Sequence, residues 1–359
     1  MKPRILHIID SFSKGGAEVL LAGIIPDMPQ YQHTILYLMP TKQSLMTAVP
    51  KNVTIECLNF IKITDAKKVI AQINAHIEKH RPFVIHTHLY YSSILIRFSQ
   101  TKNIQIVQTY HNQYYRIRYS KWSARIFKVA MKLFDRYTMK PSIAVLHVSK
   151  TQQELNDRDV QIKSSGVLYN FIEDVFFKSR NEIFSNKHNK LKIVSVGNLK
   201  TEKNHILLLK AIKALPHIPI HVDICGQGND ERMLQEYINK HQLPATIHGS
   251  REGIDKILEE HDLFISCSIM EGFGISVAEA MASEIAMIIS DLPTFIEVTE
   301  NKACFFQSND VADLAGKIEI FYNAPESFRQ SVSDCKIVAE KYRKNYYLNE
   351  LNTLYSKYI

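Results

Sequence analysis

At 359 residues, with 45% apolar and 22% charged residues and no biased tract, the chain is long enough for two cores. Its composition is too ordinary for a fibrous, disordered or disulfide-stapled protein. No apolar run approaches the roughly 20 residues that a membrane-spanning helix needs, and the opening MKPRILHIIDSFSKGG reads as a strand rather than a signal peptide. The five cysteines lack CxxC spacing, which favours reduced cytosolic thiols over a disulfide framework or zinc site. Residues 1–170 carry 23 Lys and Arg against 10 Asp and Glu, whereas residues 171–359 carry 21 against 26, so the first half is the basic one. Such an imbalance directs the first half toward a polyanionic surface.

In chain order, RILHII (4–9), HTILYL (33–38), FVIHTH (83–88), IQIVQTY (104–110) and IAVLHVS (143–149) are short apolar runs separated by polar helical stretches. Alternation of this kind predicts parallel strands joined by crossover helices. After a polar stretch at 178–190, read as a linker, the plan repeats: KIVSVGN (192–198), IHVDICG (220–226), ATIHG (245–249), LFISCS (263–268) and AMIIS (286–290). The expected architecture is α/β, with two doubly wound Rossmann-like domains at 1–170 and 171–359 facing a cleft. The last helix, about 340–359, has the option of packing back on the first domain. In such folds ligands meet the loops at the C-terminal strand ends.

Those loops carry the polar residues that packing does not require. In SFSKGGAE, Gly15 and Gly16 stand between a strand and a helix, a layout that fits either a tight turn or a phosphate at a helix N-terminus. In NLKTEKN, Asn198, Lys200 and Lys203 precede the amphipathic face of Leu207, Leu208, Ala211, Ile212 and Leu215. A lysine there supplies a point charge for a diphosphate. GQG at 226–228 is a common strand-end pattern. EGFGISVAEA offers two carboxylates, Glu271 before the turn and Glu279 after it. Ser276 and Glu279 match a capping box. Alternatively, the amides of Gly274, Ile275 and Ser276 receive a phosphate while Glu279 accepts bonds from ribose hydroxyls and Glu271 grips a sugar. His111 closes a strand and points out of it. His86 and His88 share one strand face with no third ligand evident, so no metal is expected.

The stretch 121–140 places Trp122, Ile126, Val129, Leu133 and Tyr137 on one helical stripe beside Lys121, Arg125, Lys128, Lys132 and Arg136. Either this helix docks by its apolar stripe with the basic side in water, or it meets an anionic membrane surface. Arg116, Arg118, Tyr114, Tyr115 and Tyr119 upstream suit an interface.

GGAE, VGNLKTEKNH, CGQG and above all E-x7-E within EGFGISVAEAMA resemble, in order and over nearly the whole chain, the retaining glycosyltransferases of family 4, which have the GT-B fold. The resemblance implies transfer of a sugar from a UDP- or GDP-type nucleotide-sugar with retention and without a metal or other cofactor. It implies donor binding by Gly15, Gly16, Asn198, Lys203, Phe273, Gly274, Ile275 and Glu279, with His111 and Glu271 as catalytic residues. Asn198 departs from the arginine that many members have there, and Asn170-Phe171-Ile172-Glu173 departs from NGID. The expected function is extension of a surface glycan on a lipid-linked acceptor, in the cytoplasm or peripherally on the membrane, with no nucleic acid involved. The alternatives are a nucleotide-sugar epimerase of the same fold and a non-enzymatic polyanion-binding protein.

Overall fold

The structure, a computed structural model, describes residues 2–41, 45–116, 122–178, 180 and 190–359, with backbone only at Ser123. The chain forms two compact units, residues 1–170 with 345–359 and residues 171–344. The expected linker at 178–190 lies largely outside the described residues, and Arg118, Tyr119 and Lys121 lie wholly outside them.

In the first unit the strands are β1 (Arg4–Ile9), β2 (Gln32–Tyr37), β3 (Thr54–Cys57), β4 (Val84–His88), β5 (Gln105–Tyr110), β6 (Ala144–His147) and β7 (Ser165–Val167). They form a parallel sheet in the order β3-β2-β1-β4-β5-β6-β7. Crossovers run through α1 (Gly16–Ile24), α2 (Ala66–His80), α3 (Tyr90–Leu95), α4 (Trp122–Thr138) and α5 (Lys150–Val160). One sheet face, with Leu6, Ile8, Ile85 and Ile106, packs on Val69, Ile73 and Ile77 of α2. Alternation along the strands turns His7, His33, His86 and His88 to the other face, where all four are buried. There the terminal helix α13 (Lys344–Ser356) contributes Tyr355, whose hydroxyl lies 2.6 Å from His86 Nδ1.

The second unit repeats the scheme with β8 (Leu191–Val196), β9 (Ile220–Cys225), β10 (Ala245–Ile247), β11 (Leu263–Ser266), β12 (Ala286–Ser290) and β13 (Cys304–Phe306), ordered β10-β9-β8-β11-β12-β13. Its helices are α6 (His205–Lys213), α7 (Glu231–His241), α8 (Ile254–Glu259), α9 (Ile275–Ala282), α10 (Pro293–Val298), α11 (Val311–Asn323) and α12 (Arg329–Ala339). The apolar face expected on α6 is the face that packs: Leu207, Leu208, Ala211, Ile212 and Leu215 join Ile193, Ile224, Leu263 and Ile265 in one core. Burial of each such leucine or isoleucine contributes about 1.5–3 kcal/mol. Ile172 pairs in parallel with Arg343, and Lys344 bonds Glu173 at 3.1 Å, which fixes the segment that departs from NGID. No helix among the described residues is long and apolar enough to cross a membrane.

Candidate active site

The richest set of polar loops lies at the C-terminal strand ends of the second unit. The loop after β8 is tied to the loop after β9 by Leu199 N–H to Gln227 O at 2.9 Å and Asp230 N–H to Leu199 O at 3.0 Å. The approach is so close that a Cβ on Gly226 would stand 1.8 Å from the Gly197 carbonyl oxygen, and one on Gly228 would stand 2.3 Å from that of Leu199. The GQG pattern is therefore explained by backbone contact between loops, with no ligand required. A third loop joins through Ile269 N–H to Glu202 O at 2.8 Å.

This bracing brings together two residues 68 positions apart. Lys203 Nζ forms an ion pair with Glu271 Oε1, and Ser268 Oγ donates to the same oxygen at 2.9 Å. Ser268 carried no signal in the sequence, because a serine three residues before a glutamate at a strand end is unremarkable. Thr294 Oγ1 donates to the Glu271 carbonyl at 3.1 Å, so backbone and side chain of Glu271 are both fixed. His205 follows, buried with Nδ1 3.2 Å from Ser195 Oγ. Burial first, then the Lys203 charge, pushes it down to about 4, so the ring is neutral at pH 7. Asn198 and Lys200 are exposed.

The capping-box reading of Ser276 and Glu279 does not hold. Gly274, with φ 92°, is the residue before α9, so Ser276 sits within the first turn and Glu279 in the second. Gly274 is required twice over, by its φ and by the Phe295 ring, whose Cε1 would lie 2.5 Å from a Cβ. Phe273 is buried, edge-on to Tyr342 at 5.1 Å, so its side chain anchors the turn. Among the described residues no acceptor engages the Gly274, Ile275 and Ser276 amides, and no hydrogen bond or ion pair holds the Glu279 carboxyl. Part of Glu279 reaches solvent, yet burial, with Glu173 adding like charge, pushes its carboxyl up to about 8. An acid free of its own helix cap near the start of α9 is thus poised to change charge near neutral pH.

The first unit differs. Gly15 precedes α1, and a Cβ there would lie 2.3 Å from Glu18 Oε2; Ser11 Oγ donates to Glu18 Oε1 at 2.6 Å. The carboxylate of Glu18 thus lies over this glycine turn at Gly15, the residue before α1. Asp10, just after β1, accepts the Tyr91 and Ser92 N–H groups at 3.0 and 2.7 Å and so caps α3. Burial outweighs those bonds and pushes Asp10 up to about 6. His111 Nε2 lies 3.3 Å from His88 Nδ1, and burial pushes His111 down to about 4, which keeps it neutral. The register β1–β4 sets His7 opposite His86, giving the third imidazole that the HTH spacing alone did not reveal.

Helix α4 presents its apolar stripe in an unexpected direction. The helix is held by polar contacts: Asp135 pairs with Arg97 and accepts from the Tyr110 hydroxyl at 2.6 Å and from the Tyr115 hydroxyl. Tyr90 donates to the Met131 carbonyl at 3.0 Å. The apolar stripe faces outward, with Trp122 75%, Val129 54% and Tyr137 82% exposed, and with Ile126 and Leu133 exposed between them. Phe98 stacks on Phe134 at 5.9 Å and extends the patch. The expectation of a helix docked by that stripe is therefore overturned within the unit. Of the basic residues beside it, Lys132 is paired with Asp159 at 2.6 Å.

Two family models match in tandem, "Glycosyltransferase Family 4" over residues 14–174 and "Glycosyl transferases group 1" over residues 177–335. The chain is 26% identical over 206 residues to the O-antigen chain mannosyltransferase RfbU of Salmonella typhimurium, a match covering 55% of this chain and 57% of that one. It is 31% identical over 128 residues to the GtfA subunit of the UDP-N-acetylglucosamine–peptide N-acetylglucosaminyltransferase of Streptococcus pneumoniae, covering 33% of this chain and 25% of that one. These matches span between a quarter and just over half of the curated relatives' lengths. Among solved structures, Anabaena Alr3699/HepE in complex with UDP superposes with a TM-score of 0.81 at 15% identity, covering 99% of this chain and all of that one. With two parallel Rossmann-like sheets and both halves matched, the chain belongs to the GT-B glycosyltransferases.

Proposed function

We propose that the protein transfers a sugar, with retention and without a metal at the diphosphate, from a UDP- or GDP-type nucleotide-sugar to a glycan acceptor in surface polysaccharide synthesis. The observation that carries this reading is the second unit's loop set: a lysine paired with Glu271, unengaged amides at Gly274–Ser276, and a Glu279 carboxyl free of any cap. Each matches one part of such a donor. Lys203 and the amides neutralise the diphosphate, Glu279 accepts two bonds from the ribose diol, and Glu271 holds hydroxyls of the transferred sugar. Lys203 turns from Glu271 to the phosphate when donor arrives, which frees the Glu271 oxygen for the sugar. His111, neutral, is assigned to the transferred sugar by the family resemblance.

No side chain in the second unit's loops is offered as a covalent nucleophile. The acceptor hydroxyl instead forms its bond to the anomeric carbon on the face from which the phosphate leaves, and its proton passes to the departing phosphate oxygen. Lys203 and the amides stabilise the charge on that leaving group. A UDP-bound solved relative of the same fold, and a relative named as an O-antigen chain mannosyltransferase, support the donor and acceptor classes.

The acceptor is lipid-linked in this reading, and the enzyme works peripherally at the cytoplasmic face of the membrane. The outward apolar stripe of α4 with Arg125, Lys128, Lys132 and Arg136 beside it favours that placement, since apolar insertion and about 1 kcal/mol per basic residue act together at an anionic surface. The test is a panel of nucleoside diphosphates scored by melting temperature, followed by product analysis with nucleotide-sugars and lipid-linked acceptors. If no nucleoside diphosphate raises the melting temperature of the wild type, the reading fails. Formation of an isomerised sugar nucleotide without acceptor would replace it by the epimerase.

A further inference from the structure

Four buried histidines of the first unit's sheet, His7, His33, His86 and His88, have no role in the proposed transfer. His7 on β1 and His86 and His88 on β4 stand on neighbouring parallel strands, with His7 paired to His86. Their ring centroids form a triangle of 4.1, 5.9 and 6.0 Å, and one nitrogen from each ring lies within 4.8 Å of the others. Three imidazoles bound to one ion at about 2.0–2.1 Å in tetrahedral geometry place their centroids roughly 5 Å apart, which this triangle brackets. His7 Nδ1 and His88 Nε2 are buried and have no hydrogen-bond partner among the described residues.

Tautomers favour a cation on the His7 side. If His33 Nε2–H donates to the Met28 carbonyl at 3.0 Å, His33 Nδ1 is an acceptor, and the proton shared with His7 at 3.1 Å belongs to His7 Nε2. His7 Nδ1 then carries a lone pair in a buried place with nothing to donate to it. A buried lone pair without a partner is costly, and a borderline-soft divalent ion satisfies it. His86 bonds the Tyr355 hydroxyl through Nδ1 at 2.6 Å and the Thr109 hydroxyl through Nε2 at 2.7 Å. One of these hydroxyls would yield to the ion while the other remains to orient the ring.

We propose that His7, His86 and His88 form a binding site for one zinc-type divalent transition ion, with a water in the fourth position. The site belongs to the first unit's sheet and helix α13, apart from the second unit's loops assigned to the diphosphate and ribose, while His88 meets His111, the residue assigned to the transferred sugar, at 3.3 Å. Its failure would leave the proposed transfer untouched, and the nucleotide experiments above do not bear on it.

The experiment is metal analysis of the full-length, tag-free chain, produced in zinc-supplemented medium and dialysed, alongside His7→Gln, His88→Gln and His33→Gln. The expected result is about one equivalent of zinc in the wild type and in His33→Gln, with at least a tenfold loss in His7→Gln and His88→Gln. Replacement by Co2+ in the wild type is expected to give the visible absorption of a nitrogen-rich tetrahedral site. That spectrum decides the matter if the triad variants do not fold. A wild type that holds no zinc and shows no Co2+ band overturns the proposal, as does zinc retained equally by folded His7→Gln and His88→Gln.

Discussion

Two turns in this molecule have the same local plan, a parallel strand running through glycine into a helix, and opposite electrostatics. At Gly15 the nearest group to a Cβ would be the end of the Glu18 side chain, so an acid of the same unit already lies over the start of α1. At Gly274 the nearest group would be the Phe295 ring, and the amides that open α9 face no acceptor among the described residues. A carboxylate repels a phosphate where an aromatic wall does not. A glycine before a helix thus marks an anion site only when the surrounding side chains leave its amides vacant.

Replacing each glycine sharpens that contrast most. Gly274→Ala forces a methyl against a ring at a φ that alanine avoids, and is expected to cost about 2–4 kcal/mol in thermal or denaturant unfolding. Gly15→Ala meets only the end of a flexible side chain at φ −104°, and is expected to cost under about 1 kcal/mol. Equal losses would break the comparison.

The next effect is on binding. Lys203→Ala removes the charge paired with Glu271, and is expected to weaken nucleoside diphosphate binding about 10- to 100-fold by calorimetry, in line with about 1.5–3 kcal/mol for a charged hydrogen bond. Glu18→Gln, at the other turn, is expected to change that affinity by less than about twofold if, as proposed, the second unit's loops receive the diphosphate. Smaller again is the effect of Trp122→Ser with Tyr137→Ser. The pair is expected to weaken sedimentation with anionic liposomes by about tenfold while leaving the unfolding free energy within about 0.5 kcal/mol, since both side chains are exposed.

The interior of both sheets was legible in the sequence, because β1, β2, β4, β5, β6, β8, β9, β11 and β12 are apolar runs buried between neighbours. The strands that the apolar runs do not mark, β3, β7 and β13, are all edges of their sheets. They are three or four residues long and partly exposed, so TIEC and SGV carry too little apolar signal to stand out from loops. Lys203 and Glu271 could be read as candidates but not as a pair, since only the crossover topology brings residues 68 apart into contact. The capping box misled because the helix begins one residue after Gly274, whose left-handed φ of 92° lies outside the helix and is invisible to spacing. Likewise His7 looks like an ordinary mid-strand residue until register sets it beside His86.

The central claim is that Glu279 receives the donor's ribose as a carboxylate. Its folded value is raised from 4.5 to about 8, so its contribution to stability is fully present below pH 4.5 and is lost as pH rises through about 8. Glu279→Gln should therefore melt higher than the wild type at pH 8.5 and equally near pH 4. The direct measurement is the dissociation constant of UDP, or of GDP if that is the nucleotide that stabilises the protein, from pH 6.5 to 9 in both proteins. Relative to Glu279→Gln, the wild type is expected to bind more tightly as pH rises, gaining close to tenfold per pH unit below about 8 and levelling off above it. Parallel pH profiles for the two proteins, with equal affinity at about pH 9, would contradict it.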